Sequence, residues 1–224
     1  MKPDQTTIFK RLMLTACTVA ALGGGLTACF PLALGGAAVG GALVAIDRRT
    51  SGAQLEDEGI ELRAMSRLRD NVGSRARVSV TSYNRQVLLT GEVLNEQDKK
   101  LVEQVVARVE NVNGTVNELA IIDSPSLVQR SSDVLITGQI KALLIDARDL
   151  YANAFKVVTE RGTVYLLGRV TQREADRATE IARGARGVQK VVRILEIISE
   201  EELQRLLPAP AQPAAAPRTQ GGGG

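Results

Sequence analysis

The chain has 224 residues, a formal net charge of +3, 3% aromatic residues, and neither His nor Trp. The lack of His excludes Ser-His-Asp and Cys-His chemistry and His-ligated zinc. The lack of aromatics means an aliphatic core, which suits thin packed layers better than a deep ligand pocket.

Residues 1–28 hold Lys2, Lys10 and Arg11 against Asp4 alone, so the remainder carries about +1. There Arg and Glu are interspersed as on a solvated surface, and nucleic acid is not an expected partner. Cys17 and Cys29 both lie in the apolar N-terminal run. The rest of the chain therefore has no disulfide, CxxC or thiol chemistry, and no metal site or dissociable cofactor is expected.

Lys2, Lys10 and Arg11 precede the apolar run Leu12–Leu22 and then Gly23–Gly25, the layout of a secretory signal peptide over residues 1–28. The stretch "LTAC", Leu26 to Cys29, resembles the bacterial lipobox. That resemblance implies diacylglycerol on the Cys29 thiol, cleavage before it, and an N-acyl chain such as palmitate on the new terminus. A membrane span is the alternative, because Leu12–Ile46 is long enough for one. Gly23, Gly24, Gly25, Pro31, Gly35, Gly36, Gly40 and Gly41 favour two pieces over one helix. Phe30, and not Asp, follows Cys29, which by the lipoprotein sorting rule favours the outer membrane. Residues 29–55 read as a lipidated Gly/Ala-rich tether. Gly36-x-x-x-Gly40 also permits close helix packing in lipid, so whether residues 30–46 lie in the bilayer stays open.

The rest is a duplication. "QVLLTGEV" (86–93) aligns with "TVYLLGRV" (163–170), and "VENVNGTVNEL" (109–119) with "ARGVQKVVRIL" (185–195). Upstream, Ile60, Ala64 and Leu68 align with Ile136, Ile140 and Leu144. Each copy predicts a helix (with Met65 on the apolar stripe of the first), a strand, a turn, a second strand, a second helix and a third strand. In copy one these are "RVSVTSY", "YNRQ", "VLLTGEV", a helix from Asn95, and "TVNELAII". Asn84 and Gly162 suit hairpin turns, Thr171 and Glu174 suit a capping box, and Gly91 and Gly168 mark a bulge or close backbone approach.

These hairpins and the "VENV" and "RGVQKV" stretches resemble the BON domain. With the lipobox and tether, residues 26–199 resemble the dual BON-domain outer-membrane lipoproteins. The resemblance implies an α+β fold of two tandem αββαβ domains, each with two helices on a three-stranded mixed sheet. Domain 1 is placed at 56–123, a linker at 124–131 and domain 2 at 132–199. A disordered Pro/Ala/Gly tail is placed at 200–224, with "SEEELQRL" as a short helical extension before its Pro-rich part.

For function, the carboxylate triplets Glu56-Asp57-Glu58 and Glu200-Glu201-Glu202 are the best catalytic candidates. A working acid–base pair needs unlike environments, whereas these sit in polar sequence at helix ends, so no enzyme is expected. Helix one of copy two is more informative. Val134, Leu135, Gly138, Gln139 and Ala142 stand where copy one has Glu58, Gly59, Leu62, Arg63 and Ser66. An extra apolar face needs a partner: the other domain, a protein, or lipid. The family resemblance implies anionic phospholipid at this helix, where the charges of Lys141 and Arg148 make them candidate headgroup contacts. Enterobacterial members carry Trp where this chain has Leu135, so insertion here would be more purely apolar. The expected role is a periplasm-facing lipoprotein that binds phospholipid through domain 2 and supports envelope integrity, with division sites as one setting. The runner-up is a periplasmic adaptor in which the same helix docks a protein partner for envelope assembly, cell-wall regulation or division.

Overall fold

The computed structural model describes residues 47–122 and 127–206. The predicted signal peptide, Cys29, the apolar stretch to Ile46 and the tail from residue 207 lie outside them.

The described elements are α1 (Ser51–Asn71), β1 (Ala76–Tyr83), β2 (Gln86–Val93), α2 (Glu96–Ala107), β3 (Gly114–Asn117), β4 (Ala120–Ile121), α3 (Leu127–Asp146), β5 (Phe155–Glu160), β6 (Thr163–Val170), α4 (Gln172–Gly184), β7 (Lys190–Ile197) and α5 (Glu200–Leu206). The αββαβ order thus occurs twice, as predicted. In each sheet the middle strand is antiparallel to the strand before it and parallel to the one after it.

Local chemistry accounts for the joints. Asn84 and Arg85 have φ of 49° and 66°, and Arg161 and Gly162 have 50° and 69°, the paired positive values of a tight hairpin turn. Thr50 caps α1 and Asn95 caps α2. Thr171 and Glu174 form a capping box at α4.

The structure departs from expectation at five places. The predicted third strand of copy one is two pieces, β3 and β4: the Asn117 side chain accepts the Leu119 amide at 3.2 Å, a local bond that competes with the ladder. Pairing resumes in the same register, Leu89 opposite Asn117 and Glu92 opposite Ala120. Helix α1 starts at Ser51, inside the predicted tether, because Thr50 accepts the Ala53 amide. Helix α3 starts at Leu127, inside the predicted linker. The helical extension expected at "SEEELQRL" is α5, so the ordered body reaches into the range placed as disordered tail and buries Leu203. Met65 is exposed, since Ile60, Ala64 and Leu68 already fill the buried row of α1.

Each sheet has a helix-side core. In the first, Ile60, Ala64 and Leu68 meet Val87, Leu89, Val93, Val102 and Val106. In the second, Ile136, Ile140 and Leu144 meet Val164, Leu166, Val170 and Ala175, Ala178 and Ala182. A third cluster joins Tyr83 and Leu88 to Tyr165 and Leu167. It lies on the helix-free faces, because neighbouring strand residues alternate sides. The two sheets therefore pack face to face, with a helix layer on each outer side. Polar links rim this contact: Lys156 to Glu61 at 2.9 Å, Arg161 to the Gly91 carbonyl at 3.1 Å, and Asn84 to Glu196 at 2.6 Å.

Candidate functional site

Helix α3 is held by what it buries. Ile136, Ile140 and Leu144 point into the core, and Asp133 accepts the amides of Arg161 and Gly162 at 2.7 and 2.8 Å. The opposite side faces solvent. Val134 is 72% exposed, Leu135 73% and Ile145 72%. Gly138, Gln139, Lys141 and Ala142 are exposed on the same helix. Arg148 is exposed too, but it lies past the helix end. Lys141 and Arg148 have no ion-pair partner among the described residues.

The sequence left open whether Leu135 packs against copy one. It does not, because the two domains meet through their sheets. Ile145 joins the exposed face and was missed; its place eleven residues after Val134, three helical turns, was the available signal. Apolar exposure is not confined to copy two. Leu55 and Leu62 of α1 are also exposed, although Glu58 and Arg63 interrupt that face. By contrast, the strip Val134–Leu135–Gly138–Ala142–Ile145 contains no charge.

Gly138 has no atom within 4 Å of the place a Cβ would occupy. Gly138→Ala is expected to stabilise the fold by about 0.5–1 kcal/mol through lower unfolded-chain entropy, read as a rise in the urea midpoint. No gain would mean that α3 is not formed at this position.

Two members of the first acidic triplet, Glu56 and Asp57, have structural roles. Asp57 is buried and accepts the Ser82 hydroxyl at 2.6 Å and the Asn84 and Arg85 amides at 2.7 and 2.8 Å. It also pairs with Arg49 at 2.7 Å. Burial pushes its carboxyl up, but these bonds outweigh burial and hold it below its ordinary value. Asp57 is therefore an ionised clamp on the hairpin, and Asp133 accepts the matching turn amides in copy two. Glu56 is tied to Arg63 and Asn111. At the domain contact, burial and then the charge of Glu92 raise the Glu160 carboxyl. No cluster of three metal-ligating side chains occurs among the described residues, and no described helix is long and apolar enough to cross a membrane.

Residues 47–49, just before α1, were not singled out by the sequence. The Arg48 side chain is fully buried and makes two bonds of 2.7 Å to Glu174. It also donates to the Arg169 carbonyl at 3.1 Å and lies 5.5 Å from the Tyr151 ring. Arg49 turns to the first domain, pairing with Asp57 and stacking 4.2 Å from the Tyr83 ring.

The profile of the BON domain matches residues 56–123 and 132–198. The chain is 38% identical over 176 residues to "Outer membrane lipoprotein DolP" of Haemophilus influenzae, spanning 77% of this chain and 90% of that protein. It is 33% identical over 155 residues to "21 kDa hemolysin" of Actinobacillus pleuropneumoniae, spanning 68% and 80%. Among solved structures, CdsD of the Chlamydia trachomatis type III secretion system aligns at 14% identity and a TM-score of 0.27, covering 65% of this chain and 99% of that one; so loose an overlay carries no argument.

Proposed function

The chain belongs to the BON-domain family, and on that premise we propose a non-catalytic outer-membrane lipoprotein that engages anionic phospholipid through the outer face of α3. Cys29 is its acylation site, the folded body faces the periplasm, and its role is support of envelope integrity, including at division sites. The observation that carries this reading is the uncharged strip of Val134, Leu135 and Ile145, exposed where packing against the first domain was the alternative. Lys141 and Arg148 would each add about 1 kcal/mol near an anionic surface. Acyl chains contribute about 0.8 kcal/mol per buried methylene and hold the domain at high effective concentration over the bilayer, so a weak second contact suffices.

The chain from Asp47 onward is expected to co-sediment with phosphatidylglycerol or cardiolipin vesicles and less with phosphatidylcholine. Leu135→Glu loses a buried Leu worth about 1.5–3 kcal/mol, which predicts binding on the order of ten- to hundredfold weaker. Equal absence of binding to all vesicles would sink the reading. The anchor has its own check: Cys29→Ser should accumulate an uncleaved, unacylated precursor, and normal processing of that variant would contradict acylation at Cys29.

A protein-adaptor role has one observation of its own, the exposed Leu55 and Leu62 on the other helix layer. A Leu62→Glu variant that keeps vesicle binding but loses a cross-linked envelope protein would support it.

A further inference from the structure

The matched domain begins at residue 56, so nothing in the family match assigns a role to residues 47–49. Yet Arg48 is among the most completely buried cations described, and a buried guanidinium persists only when paired. Its bidentate bond to Glu174 fixes both position and orientation, while Arg49 grips Asp57 and the Tyr83 ring. One side chain therefore holds the second domain and its neighbour holds the first. The place where the chain enters the folded body is fixed from both sides. That place adjoins α3: Asp47 and Arg49 line a cleft of about 270 Å³ together with Lys141, Leu144 and Ile145.

We infer that Arg48 is a positioning residue for membrane contact. Docked on Glu174, it brings the chain into the folded body beside Lys141 and Ile145, so that an anchor upstream of Asp47 turns the α3 face toward the bilayer. This rests on the phospholipid reading of α3. It adds that the anchor and the lipid face are coupled by geometry and do not act independently. Without the Arg48 clasp the entry point is held to the first domain alone, through Arg49. An acylated chain would then stay attached to the membrane but would no longer hold the α3 side of the second domain toward it.

The test uses the full acylated chain in phosphatidylglycerol vesicles containing a lipid-borne quencher, with a fluorophore on Ala142→Cys or, in the opposite helix layer, on Ser66→Cys. Wild-type quenching is expected at 142 and not at 66. The double variant Arg48→Gln with Glu174→Gln removes both charges, so no buried charge is orphaned. It should remain vesicle-bound through its acyl chains, melt cooperatively, and lose most of the quenching at 142. The unacylated chain from Asp47 should bind the same vesicles equally well with or without the double substitution. If that unacylated chain does not bind, the α3 reading fails and the inference with it. If it binds, but quenching at 142 survives the double substitution, the positioning role alone is overturned. Equal quenching at 66 and 142 in the wild type overturns it without any Arg48 variant, and absence of acyl groups by mass spectrometry removes its premise.

Discussion

Glu174→Ala is expected to lower the unfolding free energy by about 3–5 kcal/mol, the cost of leaving a buried charge without its partner. The Arg48 and Glu174 side chains are both fully buried. Glu174 also accepts the Thr171 amide at 3.0 Å, and losing that half of the capping box adds roughly 1 kcal/mol. Against a typical stability of about 5–15 kcal/mol, the loss should move the urea midpoint far more than a surface change. Arg48→Met combined with Glu174→Met should recover most of it, since replacing both members of a buried pair by apolar groups is often neutral. A single-variant loss below about 0.5 kcal/mol, the range of an ordinary surface substitution, would mean that Arg48 is not buried in solution. The pH dependence follows the same bond. Burial raises the Glu174 carboxyl, but Arg48 and the Thr171 amide hold it below 4.5. A lowered folded value stabilises above the unfolded value and is lost as pH falls through the folded one. The wild type should therefore lose stability below about pH 4.5 more steeply than the double Met variant.

The face-to-face packing of the sheets decides which surfaces remain for function. The helix-free faces are consumed by Tyr83, Leu88, Tyr165 and Leu167, leaving the two helix layers outward. Of these, α3 presents an uninterrupted apolar strip, while α1 mixes Leu55 and Leu62 with Glu58 and Arg63. A membrane surface, which offers no directional partners, suits the former. A protein, which can match alternating charge, suits the latter. The two readings of the molecule can thus be assigned to opposite layers and tested by separate substitutions.

The hairpins, the α4 capping box and the duplication were legible because each is written in adjacent residues: paired turn positions, Thr171 with Glu174, alternation in "RVSV". The inner stripe of α3 was legible for the same reason. What stayed hidden is long-range. Arg48 meets Glu174 across 126 positions, and nothing in "DRRT" distinguishes a buried Arg from a solvated one. Asp57 was hidden by its acidic neighbours, although Asp133 at the matching place in copy two was a usable hint. The sheet–sheet contact did leave a trace. Val87, Leu88 and Leu89 are consecutive and all fully buried, and an unbroken apolar run marks a strand covered on both faces.

Gly91→Ala is expected to be the most damaging of the glycine substitutions, at about 3 kcal/mol or more. Gly91 has φ of +116°, and a Cβ there would lie 2.0 Å from the Arg77 carbonyl oxygen. Strained backbone alone costs roughly 1–3 kcal/mol, and here the clash is with backbone that cannot rotate away. Relief would require β1 and β2 to separate where Val78 pairs with Gly91. That movement reaches the domain contact, because Arg161 donates to the Gly91 carbonyl and the adjacent Glu92 is bonded to Arg77 at 2.6 and 2.7 Å. Gly168, its counterpart, would place a Cβ 2.5 Å from the Ala154 carbonyl oxygen without a positive φ. Gly168→Ala should therefore cost less, about 1–3 kcal/mol, as overpacking does. Gly138→Ala should have the opposite sign. Urea unfolding of the three variants side by side tests this order. A Gly91→Ala midpoint equal to that of the wild type would show that the strands do not approach this closely in solution. A fall in cooperativity at Gly91 but not at Gly168 would show that β2 of the first domain carries the coupling between the two.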